Sequence, residues 1–353
     1  MNMRTSRLKT GCAAAVLGIS LVLGGCAQTG GSQGAFDASS EENGKLKVAV
    51  TLFPYYDFVR QIAGNQVDLQ MVIPAGMDSH SFEPTPADIR TIQHADILIS
   101  NGGTMEHWLD ETLAALDTTN MTIVTMMDYV DAVEEEIVEG MEDADHDHSG
   151  ETPEEHAAHS YEEDTRSYVD HDGHEEEIEY DEHIWTSPVN AMKLVDVIGD
   201  TLAEADPAHA DTYHQGAENY KKELEEIDSG FREVSANRKR NMIVMGDKFP
   251  FRYLADEYQL DYRAAFSGCS SDTEPSAKTI AYLIDKVKEE QIPAVYYLEL
   301  SSHRVAEIIG EETGAEPLLL HSCHNVTRAQ FDAGVTYVQL MRQNIENLRK
   351  GID

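Results

Sequence analysis

Two histidines lie in turn-rich loops that are suited to binding a metal ion. His80 lies in the segment Asp78 to Pro86, which is rich in Ser, Thr, Pro and acidic residues. His183 lies in the segment Asp181 to Pro188, which also leads into a helical pattern. Histidine nitrogen and carboxylate oxygen bind Zn²⁺ at ~2.0–2.2 Å in roughly tetrahedral geometry. We therefore predict that these two loops converge on one metal site.

Further polar segments follow predicted strands in the second half of the chain. They are Gly246 to Phe249, Gly268 to Ser270 and His321 to His324. Ligands of open α/β sheets collect at the carboxyl ends of the strands, which is where these segments lie. Each segment is weak support on its own, because a single histidine is more often a surface or packing residue.

The elements that must position these loops alternate between short apolar runs and helical patterns. The predicted strands are Lys47 to Phe53, Val67 to Ile73, Ala95 to Ser100, Met121 to Met126, Asn241 to Gly246, Leu260 to Ala265, Ala294 to Glu299 and Pro317 to Leu320. Such alternation predicts parallel sheets flanked by helices. We therefore expect an α/β fold of two lobes, residues 45–188 and 240–353, each with a roughly four-stranded sheet. Connecting helices over residues 189–239, one of them long, join the lobes.

Residues 131–182 interrupt this pattern with an acidic insertion. The segment contains 23 Asp and Glu residues against one basic residue, Arg166. Its low apolar content leaves too little surface to bury to offset the entropy cost of ordering the chain. We therefore predict a disordered insertion in the first lobe.

Six histidines lie within the insertion: His146, His148, His156, His159, His171 and His174. Three interpretations stay open for them: a loop that collects metal, a pH-responsive segment, and a solvated acidic linker. Imidazole titrates near neutral pH, and bound cations would relieve the repulsion among the carboxylates. We predict metal contact of modest affinity, because a disordered segment must be ordered at each binding event.

The first 25 residues have the layout of a secretory signal peptide. A basic start with Arg4, Arg7 and Lys9 precedes an apolar run from Cys12 to Leu23. This run is shorter than the ~20 residues that span a bilayer. Small residues directly before Cys26 resemble a bacterial lipobox, in which this cysteine becomes the lipidated first residue. We therefore predict an extracytoplasmic body held to the cell membrane by Cys26 and a flexible tether over residues 26–44.

Two cysteines remain beyond the predicted anchor, Cys269 and Cys323. In an oxidising compartment two such cysteines most simply form one disulfide. Metal binding by one or both thiolates is the competing interpretation. We expect the disulfide.

The formal net charge of -39 excludes one class of partner. Nucleic acid and anionic lipid surfaces would be repelled by the field of such a chain. Cations would be attracted, although acidic surfaces also serve solubility.

Several segments together resemble the zinc and manganese solute-binding proteins of bacterial ABC importers. They are Asp78 to Pro86, Asp181 to Pro188 after a His-rich acidic insert, Asp272 to Ser276, and Gly334 to Tyr337 with its helix through Asn344. The resemblance covers about residue 45 to the end of the chain. It implies two α/β lobes joined by a long helix, with one metal ion in the cleft between them. It also implies that His80 and His183 are ligands from the first lobe.

The second lobe departs from the family pattern. The family often has a histidine five residues before the tyrosine of that lobe's first helix, here Tyr253, and this chain has Lys248. After the last strand, where the family usually has an Asp, this chain has His321, which we therefore predict as the third ligand. The candidates that stay open as further ligands are Asp247, Glu299, Cys269 and Cys323. His303 and His324 are interpreted as surface residues.

The resemblance predicts a monomeric receptor that captures Zn²⁺ and delivers it to the permease and ATPase of an ABC importer. Mn²⁺ is the alternative metal, and a surface metal-buffering or adhesion lipoprotein is the alternative function. A metallohydrolase would need an open coordination position and a nearby general base. Glu182 is the only candidate for such a base. The sequence has no His-Glu-x-x-His, Gly-x-Ser-x-Gly or phosphate-loop motif, so we expect no enzymatic activity.

Overall fold

The computed structural model describes residue 36 and residues 44–141, 179–270 and 274–353. The predicted signal peptide, the predicted lipid site Cys26 and the six insertion histidines lie outside these residues. In the described part of the chain, no helix is long and apolar enough to cross a membrane.

The first lobe is built around a parallel sheet of four strands. They are β1 (Leu46–Val50), β2 (Val67–Met71), β3 (Ile97–Ser100) and β4 (Thr122–Thr125), in the order β2-β1-β3-β4. The helices of this lobe are α1 (Phe53–Ala63), α2 (Pro86–Gln93) and α3 (His107–Ala114). The central strand β3 is buried at every position, as expected for a parallel sheet covered by helices on both faces.

Two helices, α4 (Pro188–Ala205) and α5 (Ala210–Asn237), connect the first sheet to the second. The longer helix buries an apolar stripe whose members are Tyr213, Tyr220, Leu224, Ile227, Phe231 and Val234. Helix α5 also approaches α1 closely at Gly216. A Cβ atom at this position would lie only 2.2 Å from the carbonyl oxygen of Ile62, so a glycine is required for this contact.

The second lobe repeats the topology of the first. Its strands are β5 (Met242–Phe249), β6 (Asp261–Ser267), β7 (Ala294–Tyr297) and β8 (Glu316–Leu319), in the parallel order β6-β5-β7-β8. Its helices are α6 (Arg252–Tyr258), α7 (Ala277–Glu289), α8 (Arg304–Thr313), α9 (Arg328–Asp332) and α10 (Tyr337–Ile352). The predicted fold class is confirmed.

Asp57 on α1 ties the first lobe to the helices of the rest of the molecule. Its side chain is fully buried and pairs with Arg60. Its Oδ2 atom accepts hydrogen bonds from the hydroxyl of Tyr220 on α5, at 3.0 Å, and from the backbone N–H of Tyr337 on α10, at 2.7 Å. A buried carboxylate is tolerated because it has such partners. The two lobes are therefore held in one arrangement by polar as well as apolar contacts.

The two described ends of the predicted insertion pack against the second lobe. Glu134 and Tyr180 form an antiparallel bridge between the two ends. Glu136 accepts a hydrogen bond from the hydroxyl of Tyr262 on β6, at 3.0 Å. Disorder was predicted throughout residues 131–182, so this order at both ends is a difference from the prediction. These ends are ordered because tyrosine and arginine side chains of the second lobe contact their acidic residues.

Candidate metal centre

Three histidines from both lobes come together in the structure. Nitrogen atoms of His80, His183 and His324 all lie within 4.8 Å of one another. Their ring centroids form a nearly equilateral triangle, with 6.0 Å between His80 and His183, 5.6 Å between His80 and His324, and 5.7 Å between His183 and His324. Three imidazoles in this arrangement can surround a single ion. We call these residues the histidine triad.

His80 is positioned by the loop between β2 and α2. The carboxylate of Asp78 accepts a hydrogen bond from the backbone N–H of His80 at 2.8 Å, which closes a local turn. The loop ends at Thr85, whose side chain caps α2 in a reciprocal box with Asp88. Local side-chain to backbone hydrogen bonds therefore determine where His80 lies.

His183 is buried and oriented by Asp181. One oxygen of the Asp181 carboxylate accepts from the backbone N–H of His183 at 2.8 Å and lies 3.2 Å from its Nδ1 atom. An Nδ1–H that donates to this carboxylate leaves Nε2 free for an ion. Carboxylates commonly orient metal-binding histidines in this way.

His324 reaches the triad from the loop after β8. Its Nε2 atom contacts the hydroxyl of Ser79 in the first lobe. Its ring lies 5.5 Å from the ring of Trp185, centroid to centroid. The indole N–H of Trp185 donates to the carbonyl oxygen of Ser322 at 2.8 Å. The first lobe therefore holds this loop of the second lobe in place.

The surroundings of the three imidazoles shift their pKa values in opposite directions. Burial, the neighbouring His183 and Lys248 lower the pKa of His80 to about 4. Burial, His80, His183 and Lys248 also lower the pKa of His324. Burial alone would lower the pKa of His183 as well, but the Asp181 carboxylate and its hydrogen bond outweigh burial and raise it. Two members of the triad therefore stay neutral at pH values where the third is protonated.

His324, rather than the predicted His321, completes the group. His321 points into the second lobe, where its backbone N–H donates to the side chain of Asn344 at 2.7 Å and its Nδ1 accepts from the backbone N–H of Cys323 at 3.0 Å. Its Nε2 atom is buried and has no hydrogen-bond partner among the described residues. The cause is Cys323, whose φ of 61° is left-handed and reverses the chain between the two histidines.

The structure also corrects the predicted disulfide, since Cys269 and Cys323 are both free thiols. The backbone N–H of Cys269 donates to Glu135 at the end of the insertion, at 3.0 Å. Cys323 is instead fully buried in the second lobe, near Glu299. Burial raises the pKa of both thiols well above its ordinary value, which disfavours the thiolate form that binds metal.

The carboxylates that stayed open as further ligands are engaged elsewhere. The two oxygens of Asp247 accept from the backbone N–H groups of Lys248, at 2.9 Å, and Leu298, at 3.3 Å. Glu299 accepts from the backbone N–H and the hydroxyl of Ser322, at 2.9 Å and 2.6 Å. Neither residue belongs to the cluster of donor atoms that the triad forms.

The donors of the triad fit Zn²⁺. Zinc accepts neutral imidazole nitrogens in sites of four ligands, and sites with three protein ligands leave the fourth position open. A donor set made of imidazoles favours zinc over manganese, which prefers a larger share of carboxylate oxygens. The arrangement can therefore hold an ion and exchange its remaining ligand.

Comparison with known proteins agrees with this geometry. The family described as "ZnuA: Zinc-uptake complex component A periplasmic" matches residues 48–351. The chain belongs to this family. The triad lies in the part of the chain that the family covers.

Named relatives of this family are zinc-binding proteins. The chain is 32% identical over 314 residues to the zinc-binding protein AdcA of Streptococcus pyogenes serotype M3, which covers 88% of the chain and 56% of AdcA. It is 29% identical over 322 residues to the high-affinity zinc uptake system protein ZnuA of Bacillus subtilis, covering 91% and 92% of the two chains. The chain thus spans about half the length of the AdcA relatives that it matches.

Among solved structures, the Zn(II)-bound ZnuA-like domain of Streptococcus pneumoniae AdcA has a TM-score of 0.66 and 27% identity. The match covers 88% of this chain and 99% of that domain. The metal-dependent lipoprotein YcdH from Bacillus subtilis has a TM-score of 0.68 and 26% identity, covering 88% and 100%.

His324 was predicted to be a surface residue, whereas the structure brings it into the histidine triad. The only signal was its position in the loop after β8, which it shares with His321. Nothing in the residue types of this loop indicates a left-handed conformation at Cys323, because such conformations are uncommon for residues other than glycine. The choice between two histidines three positions apart therefore required the structure.

Proposed function

We propose that this protein is an extracytoplasmic zinc receptor that binds one Zn²⁺ between its lobes and delivers it to the permease and ATPase of an ABC importer. The ion is cargo, and the protein catalyses no reaction on it. The proposed ligands are His80 and His183 from the first lobe and His324 from the second. The protein acts as a monomer.

The observation that carries this proposal is the convergence of three imidazoles from three separate loops and both lobes. Their nitrogens lie within 4.8 Å of one another although the residues are far apart in sequence. A surface buffer needs no such convergence. A site shared by two lobes, in contrast, can release its ion when a partner separates the ligands.

Membrane attachment through Cys26 is part of the proposal. The relative from Streptococcus pneumoniae is named a zinc-binding lipoprotein. The small residues before Cys26 supply the corresponding signal in this chain. Lipid attachment would keep the receptor close to the importer. Mass spectrometry of the membrane-extracted protein tests this point, because a Cys26→Ala variant should lack the lipid.

A competitive titration with Zn²⁺ and Mn²⁺ against a chromophoric chelator tests the zinc function. It compares the wild type, His80→Ala and a variant in which residues 142–178 are replaced by a Gly/Ser linker of equal length. We expect one tight zinc site in the wild type, weaker binding of manganese, and a zinc site that survives the replacement but is lost in His80→Ala.

The opposite pattern would refute the proposed site. If the linker variant lost all tight binding and His80→Ala kept it, the metal would belong to the insertion and the protein would be a metal-buffering lipoprotein. His94→Ala provides a matched control, because His94 is an exposed histidine at the end of α2. This variant should bind zinc as the wild type does.

A further inference from the structure

A cavity of about 290 Å³ adjoins the histidine triad. Its lining includes His324, Asp78, Lys248, Phe266 and Leu298. Its volume is at the lower end of the ~300–1,000 Å³ that is usual for small-molecule sites. The cavity is therefore large enough for a small organic molecule in contact with an ion held by the triad.

Two cations line this cavity without a carboxylate partner. Neither Lys248 nor Arg304, both part of the lining, forms an ion pair with any residue that the structure describes. Lys248 is half-buried, and its charge acts on both His80 and His324. The lining also carries the carboxylates of Asp78, Asp247, Glu274 and Glu299, and those of Asp247 and Glu299 accept hydrogen bonds from backbone N–H and hydroxyl groups of the chain itself.

The triad alone leaves a bound zinc ion incompletely coordinated and its charge poorly balanced. In the described part of the chain, no fourth His, Cys, Asp or Glu offers a donor atom within the group. Zn²⁺ takes four ligands, and three neutral imidazoles cancel none of its charge. With the ammonium of Lys248 nearby, the open position favours a negatively charged ligand.

We propose that the fourth ligand of the bound zinc is the carboxylate of a small organic acid, which lies in this cavity and pairs with Lys248. The proposal rests on the zinc function proposed above and adds to it the identity of the fourth ligand of the ion. One carboxylate oxygen donates an electron pair to zinc and displaces a water molecule. The other oxygen accepts a hydrogen bond from the ammonium of Lys248. The apolar walls contact the carbon skeleton, and Arg304 adds positive charge.

Lys248 thus replaces a protein ligand with an anchor for an external ligand. The family that this chain resembles often has a histidine at this position. An imidazole there would close the coordination sphere, whereas an ammonium cannot bind the metal unless it loses its proton. The substitution converts a closed site into one that accepts an anion.

Isothermal titration calorimetry with succinate tests the proposal, because succinate binds free zinc weakly. The zinc-loaded wild type should bind succinate, and the zinc-free protein should bind it at least about tenfold more weakly. Lys248→Gln should retain zinc but lose a similar factor in succinate affinity. Lys248→His should bind zinc more tightly and succinate not at all. Lys286→Gln, which removes a lysine on α7 that pairs with Glu289, is the charge-matched control and should behave as the wild type.

Cobalt substitution separates metal coordination from simple anion binding. Succinate added to the Co²⁺-loaded wild type should change the visible absorption bands, because a ligand of the metal changes. The proposal would be overturned if zinc-loaded wild type bound no succinate, if Lys248→Gln bound it equally well, or if the cobalt bands did not change. A wild type that binds no zinc would instead refute the receptor function itself, before any succinate is added.

Discussion

The two lobes supply the triad in different ways. The first lobe contributes His80 and His183 from loops whose conformations are set by the neighbouring residues Asp78 and Asp181. The second lobe contributes His324 from a loop that depends on a left-handed residue and on contacts with the other lobe. Side chains that local hydrogen bonds position can be located from sequence patterns, whereas a side chain that tertiary contacts position cannot.

Replacing the two histidines of the second-lobe loop one at a time should give the largest difference in zinc affinity. His324→Ala should weaken zinc binding at least about 100-fold, more than is usual for changes outside the direct ligands. His321→Ala should change zinc affinity less than about threefold. It should instead lower the free energy of unfolding by about 1–3 kcal/mol, because the N–H of Cys323 loses its acceptor.

Zinc titration and urea denaturation of both variants measure this contrast. The assignment of the ligand would be wrong if His321→Ala abolished zinc binding while His324→Ala left it intact.

Asp181→Asn tests the orienting role of the carboxylate beside His183. The amide keeps the size of the side chain but removes its charge, so we expect zinc affinity to fall about 10–100-fold. Direct competition with a chelator at pH 7.5 provides the measurement. Equal affinities for Asp181→Asn and the wild type would contradict the role assigned to this residue.

The opposed pKa shifts within the triad predict how many protons zinc displaces. The pKa is raised for His183, whereas it is lowered to about 4 for His80 and is also lowered for His324. At pH 6 only His183 is then protonated in the free protein, so binding should release about one proton. Zinc affinity should fall as the pH drops below the raised pKa, by about tenfold per pH unit.

Calorimetry in buffers of different ionisation enthalpy counts these protons. Release of three protons at pH 6 would contradict the environments described for His80 and His324. Unchanged zinc affinity between pH 7 and pH 5 would contradict a site built of histidines.

Asn325 tests the attachment of the second-lobe loop to the first lobe, with the smallest expected effect. Its side-chain amide donates to the carbonyl oxygens of Pro74 and Met77, at 2.9 Å and 2.7 Å. Asn325→Ala should lower the free energy of unfolding by about 1–3 kcal/mol and weaken zinc binding by less than about tenfold. Asn237→Ala, at an exposed asparagine at the end of α5, is the control and should change neither quantity appreciably.

Much of the fold followed from periodicity and composition. Strand β2 was predicted from Val67 and observed from Val67, and the connecting helices predicted over residues 189–239 lie at Pro188–Ala205 and Ala210–Asn237. The ordered ends of the insertion were missed because their partners, such as Tyr262, lie on β6, far along the chain. The disulfide prediction failed because the number of cysteines in a sequence does not indicate how far apart they lie in the structure. The choice between His321 and His324 as the third member of the triad depended on the left-handed conformation of Cys323.

The proposed receptor function depends on one zinc ion being bound by both lobes through His80, His183 and His324. A zinc-edge anomalous difference map from crystals of the zinc-loaded protein tests it most directly. We predict a single strong peak in the cleft, ~2.0–2.1 Å from one nitrogen of each of these residues. A peak bound to His321 or to either cysteine, or no peak between the lobes, would contradict the account.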